Sequence, residues 1–155
     1  MRIAGLAVSI ATSKRPTVRI VVLDDSSGVP TFDRGEEIPS NETATVEQLF
    51  RIGRAVESRI KGLNVDRVII RQADAMYASR KDGVRRRLEF EGALAAASRA
   101  SVEDTRMAAG GKELGTWAGT SKADVDAAGV ALIKGASENA KYNEAAAAAL
   151  VGFVL

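Results

Sequence analysis

The chain has 155 residues, 46% of them hydrophobic and 27% charged, with 22 basic and 20 acidic side chains, a size and composition that fit one globular domain spanning 1–155. It contains no cysteine and no histidine, which excludes disulfides, structural zinc, thiol catalysis, Ser-His-Asp triads and imidazole general bases. A net charge of +2 implies no polyanion partner by itself, although a local cluster of charge still can. No apolar run reaches the ~18 residues of a membrane span, and the start at Met1-Arg2-Ile3 enters an alternating pattern instead of a signal-peptide core. The expectation is a soluble, cytoplasmic protein without a membrane partner and without a cofactor.

In chain order, Ile3, Leu6, Val8 and Ile10 predict a largely buried strand over Arg2–Ile10, and the β-branched run 17–23 predicts a second. The short polar link 11–16 reads as a hairpin connection. Asp24-Asp25-Ser26-Ser27-Gly28 is a turn signal, with the aspartates read as turn formers more readily than as cation ligands. Residues 29–38 predict an irregular third strand, broken by Pro30 and Gly35 and therefore placed at a sheet edge.

Thr45 with Gln48 fits a capping box, and Leu49, Ile52, Val56, Ile60 and Leu63 recur at helical steps until Gly62 offers a stop. Ser58-x-x-Lys61 falls on the surface of that helix. Val68-Ile69-Ile70, within 65–70, predicts a strand buried on both faces, so strand, helix and strand imply a parallel crossover. Residues 72–83 read as a polar loop, 84–100 as a helix burying Leu88, Leu94 and the alanines 95–97, and 101–108 as a short strand. A glycine-rich loop is expected from Gly110 to Gly119. Its Gly110-Gly111-Lys112 lacks phosphate-loop spacing, because Glu113 follows the lysine. Ser121 and Asp124 form a second capping box, for a helix towards Gly135. The Ala-rich segment 143–155 predicts a last helix able to approach the sheet closely.

Arg80, Lys81, Arg85, Arg86 and Arg87 make the densest charge in the chain. Two readings stay open: phosphate contacts to a nucleic acid, or a solvated helix face in which Arg87 pairs with Glu91 and Arg86 with Glu89 or Phe90.

Five segments in this order resemble the RuvC-type resolvase branch of the ribonuclease H-like fold. Gly5-Leu6-Ala7-Val8-Ser9 is similar to its first-strand motif, and Val68-Ile69-Ile70-Arg71-Gln72 to the apolar strand that ends in Glu. Arg85 to Ala97 is similar to the helix that follows. Gly119-Thr120-Ser121-Lys122-Ala123-Asp124-Val125 resembles the entry to the next helix, and Asn143-Glu144-Ala145-Ala146-Ala147 the start of the last. The resemblance implies an α/β fold with a five-stranded mixed sheet of order 3-2-1-4-5 and helices on both faces.

Such proteins cleave phosphodiesters with two metal ions held by carboxylates from the first strand, the end of the fourth strand and the last helix. The matching positions here are Ala7, Arg71 and Ala146, and no acidic residue occurs from Met1 to Leu23. A fixed guanidinium at the second position repels divalent cations by several kcal/mol at an effective dielectric of ~20. The resemblance therefore implies a catalytically inactive relative without a metal site. Its implied contacts to DNA or RNA are Arg71, Arg80, Lys81, Arg85, Arg86, Arg87 and Lys122, with a homodimer as the expected assembly. Two alternatives are a metal-dependent nuclease with carboxylates relocated to Asp24, Asp74, Glu91 and Glu144, and a structural or protein-interaction subunit.

Overall fold

In the computed structural model, which describes residues 1–10, 15–74, 82–134 and 139–155, β1 (Arg2–Ile10) and β2 (Pro16–Asp24) pair antiparallel from Arg2 opposite Asp24 to Ile10 opposite Pro16. Most of the expected hairpin link, residues 11–14, lies outside the described residues. β3 (Thr31–Pro39) pairs antiparallel with β2 at the sheet edge. Pro30 precedes this strand, and Gly35 stays in register opposite Val21. The irregularity is a bulge between Val22 and Leu23 that leaves Asp33 as the extra residue.

α1 (Thr45–Leu63) buries Gln48, Ile52, Val56, Ile60 and Leu63. The expected capping box is absent: Ala44 occupies the cap, and the Gln48 side chain donates to the Glu42 carbonyl. The helix runs past Gly62 and stops at Asn64, in the left-handed conformation at φ 49°. β4 (Arg67–Arg71) pairs parallel with β1, and β5 (Thr105–Ala108) pairs parallel with β4. Between them α2 (Asp82–Arg99) starts two residues before the expected point. β5 is shorter than expected, because turn hydrogen bonds from Ser101 and Val102 to the Ser98 carbonyl use the residues before it to close α2.

The expected glycine-rich loop is instead helix α3 (Gly111–Trp117), built on buried Leu114. Gly110 turns the chain at φ 102°, which favours glycine, and Asp74 accepts the Gly111 N–H at 2.8 Å. α4 (Lys122–Ile133) opens on the expected Ser121–Asp124 capping box. α5 (Asn143–Val151) ends four residues before the chain does.

The sheet order is β3-β2-β1-β4-β5, as expected, and side-chain alternation divides the core between its faces. Ala4, Leu6, Val8, Val68 and Ile70 pack with Ile52, Val56 and Ile60 of α1 and Phe90 and Leu94 of α2. Ile3, Ala7 and Ile69 pack with α3, α4 and the five buried alanines 145–149 of α5. A Cβ on Gly5 would lie 1.9 Å from the Ala145 carbonyl and 2.4 Å from the Ala149 nitrogen, so α5 rests its backbone on β1. One on Gly152 would meet Ile3, so α5 runs antiparallel to β1. The start of α5 therefore lies at the mouth of the sheet, where β1 and β4 end. Among the described residues no helix is long and apolar enough to cross a membrane.

Candidate functional site

β1 and β4 bring Ala7 and Arg71 to this mouth as register partners, both 3% exposed and both on the α5 face. Ala146, fully buried, belongs to the first turns of α5. The three positions singled out from sequence thus gather at one end of one face, and two of them carry a methyl group where the third carries a guanidinium.

Arg71 is held on the α4 side. Its Nη1 donates to Asp126 Oδ1 at 2.5 Å, and Lys122, one turn earlier on α4, donates to Asp126 Oδ2 at 2.9 Å. Burial pushes the Asp126 carboxyl up, but Arg71 and Lys122 outweigh it and hold the group below its ordinary value. Gly111 makes room for both cations: a Cβ there would come within 2.5 Å of Lys122 Cε and 2.7 Å of Arg71 Nη2.

On the α2 side the expected Arg87–Glu91 pair forms at 2.6 Å, and Arg87 also reaches Glu144 at 2.7 Å. This arginine ties α2 to α5 across the mouth. Glu91, fully buried, also accepts the Ala73 N–H at 3.0 and 3.2 Å. Burial raises its carboxyl above its ordinary value, against the pull of Arg87. Burial likewise opposes the Arg87 charge, yet Glu144 and Glu91 together keep the guanidinium pKa raised.

Arg86 does not pair with Glu89. Its Nη2 donates to the Gln48 side chain on α1, because it turns towards the α1–α2 contact. Arg85 is exposed, Lys122 lies 43% exposed beside Asp126, and Arg80 and Lys81 lie outside the described residues.

The fallback acids divide. Asp24 sits opposite Arg2 at the other end of the sheet and accepts the Ser26 N–H at 2.8 Å, the turn role read from sequence. Asp74, Glu91 and Glu144 lie around the mouth, each taken by a partner already named. Among the described residues no group of three acidic side chains is placed to hold a metal ion. The sequence marks Gln48 only as a capping residue, not as a partner of Arg86, and does not single out Asp126. The Lys122-to-Asp126 spacing of one helical turn signalled the second of them.

A mixed sheet of order 3-2-1-4-5 with helices on both faces is the ribonuclease H-like fold. Among solved structures, Thermus thermophilus RuvC matches with a TM-score of 0.71 at 16% identity, over 99% of this chain and 94% of that one. The T. thermophilus RuvC in complex with Holliday junction substrate matches with a TM-score of 0.70 at 16% identity, over 99% and 93%. At this identity the likeness is one of fold. No protein-family model matches the chain, and no curated protein matches it significantly.

Proposed function

We propose that this chain is a RuvC-like nucleic-acid-binding protein that holds a nucleic acid without cutting it. The observation that carries the reading is Arg71, whose guanidinium, 4% exposed and paired with Asp126 at 2.5 Å, stands beside Ala7 at the mouth of the sheet. This donor set does not fit divalent cations. A guanidinium donates hydrogen bonds only and keeps its charge at all working pH values, and the methyl groups of Ala7 and Ala146 offer no oxygen. The relocated-carboxylate alternative would have to strip Glu91 of Arg87 and the Ala73 N–H, and Asp74 of the Gly111 N–H.

Arg71 and Arg87 are occupied by acids, so their part is to close the mouth. Phosphate contact falls to exposed Arg85 and to Lys122, which pairs with Asp126 but stays 43% exposed, with Arg80 and Lys81 as further candidates. The RuvC likeness supports a nucleic acid as the partner, since one matching structure holds a Holliday junction substrate. Fluorescence anisotropy with labelled four-way junction and duplex DNA at ~50 mM salt tests this, a condition under which counterion release favours association. Binding is expected on both DNAs, with similar affinities for unrelated sequences, because phosphate contacts carry no sequence information. No binding to either would leave the structural-subunit reading in its place.

A further inference from the structure

Two apolar surfaces lie away from the mouth's arginines, one convex and one concave. Val46 and Phe50, one turn apart on α1, form a ridge open to solvent. Phe50 is 60% exposed and, among the described residues, is the one exposed aromatic side chain. Arg54, a further turn along, extends the ridge. Its ion pair with Glu57 is long, at 3.5 Å, and open to water, so it holds the guanidinium weakly.

The concave surface lies on the other face of the sheet. Pro30, Ala118, Val125, Leu150 and Phe153 line a cavity of about 340 Å³, with exposed Ala128 and Val154 also in its wall. A cavity of ~150 Å³ already takes a benzene ring, so this one has room for an aromatic side chain and a neighbour. Asp124 is the one charged residue in the lining. Its Oδ2 accepts the bonds from Thr120 and Ser121, and among the described residues no cation pairs with it.

Neither surface can cover the other within one copy, because α1 packs on one face of the sheet and the cavity belongs to the α4–α5 face. Their positions along the strands differ too. The ridge starts beside the mouth, where β3 ends with Pro39 opposite Thr17, whereas Pro30 and the end of α5 lie at the opposite end.

We propose that copies of this chain associate head to tail, with Val46 and Phe50 of one copy seated in the α4–α5 cavity of the next and Arg54 meeting Asp124. A second copy is the occupant because this chain carries both halves of the match: an apolar ridge that leads into a cation, and an apolar cavity bordered by an acid that lacks one. The two surfaces face away from each other, so a two-fold pair cannot join both, and repetition of the contact builds an open chain of copies or a ring. A single aromatic anchor places the contact among weak associations. The inference stands independently of the nucleic-acid reading.

The experiment is sedimentation equilibrium on the full chain, free of nucleic acid, from ~10 μM to ~1 mM, a range that spans weak association. The average mass should rise with concentration past that of two chains. Phe50→Asp removes the ridge and Ala128→Arg blocks the cavity, so each variant alone should stay monomeric. An equimolar mixture of the two should form a dimer and stop there, since each supplies one sound surface. Circular dichroism confirms that each variant is folded, and Phe50→Ser or Ala128→Lys replaces one that is not. Arg54→Glu should weaken the association of the otherwise unmodified chain about tenfold. A mixture that stays monomeric, or an unmodified chain that stops at two copies, overturns the head-to-tail contact, and unchanged association in Arg54→Glu overturns the charge match that selects a second copy. An unmodified chain that is monomeric throughout also overturns it. Saturable binding of toluene by that monomer, read from the fluorescence of Trp117, the single tryptophan and the neighbour of Ala118, would then assign the cavity to a small apolar molecule instead.

Discussion

On one face of the sheet the cover consists of large side chains, Ile52, Val56 and Ile60 of α1 with Phe90 and Leu94 of α2, whereas on the other α5 lays its backbone on Gly5 and presents the alanines 145–149. The charged mouth repeats the division. On the α5 face Arg71 sits against Asp126, while between α1 and α2 Arg86 sits against an amide. Where packing is backbone on backbone, positions have little freedom, and a buried ion pair finds a fixed geometry. Where side chains form the contact, the cation is held by the buried amide of Gln48 in place of a carboxylate.

The largest effect should come from Gly5→Val. The nearest carbonyl lies 1.9 Å from the site of the new Cβ, and the obstacle is backbone, so the helix itself must move. A destabilisation of ~3 kcal/mol or more is expected in urea unfolding. A loss under ~1 kcal/mol would mean that α5 is not seated on β1 as described.

Arg71→Leu comes next. It leaves Asp126 with Lys122 alone, and because Asp126 keeps part of its water the expected loss is ~2 kcal/mol, below the range for fully buried pairs. Replacing Arg71 and Asp126 together by leucine should cost less than Arg71→Leu alone, since the partly buried carboxylate goes with its main partner and Lys122, 43% exposed, is left to water. If the double variant is the less stable of the two, the neutralised-mouth account is wrong. On the opposite face Phe90→Leu should cost ~1.5 kcal/mol, as neighbouring side chains relax around the smaller residue.

The smallest effect is one of pH. Asp126 titrates below the ordinary 3.8 in the folded chain, so as pH falls the unfolded chain takes up this proton first. The stability contributed by the group is present above ~4 and is lost as pH falls through its native value. Asp126→Asn should therefore flatten the acid limb of a stability–pH curve measured by denaturant unfolding. An unchanged slope would show that Arg71 does not hold the carboxylate.

Much of this arrangement was legible in local pattern. The β-branched runs gave the central strands, Ser121 with Asp124 gave the start of α4, and the placement of Ala7, Arg71 and Ala146 followed from the order of five short resemblances. What the pattern misjudged depended on contacts distant in the chain. Gly110 to Gly119 looked like a loop, but Asp74, 37 residues before Gly111, secures the start of a helix there. Thr45 and Gln48 looked like a cap, yet Gln48 is drawn inward by Glu42 and Arg86. The spacing within the basic run marked the Arg87–Glu91 pair, but not the second partner of Arg87, since Glu144 comes from a helix far along the chain.

The central claim is that the mouth is built around a guanidinium and does not act as a divalent-metal nuclease site. Incubation of the purified chain with labelled four-way junction DNA and magnesium or manganese, with products resolved on a denaturing gel, tests it most directly. The account predicts intact strands with either metal, for the unmodified chain and for Asp74→Asn and Glu144→Gln alike. Metal-dependent cleavage by the unmodified chain that disappears in either variant would contradict it.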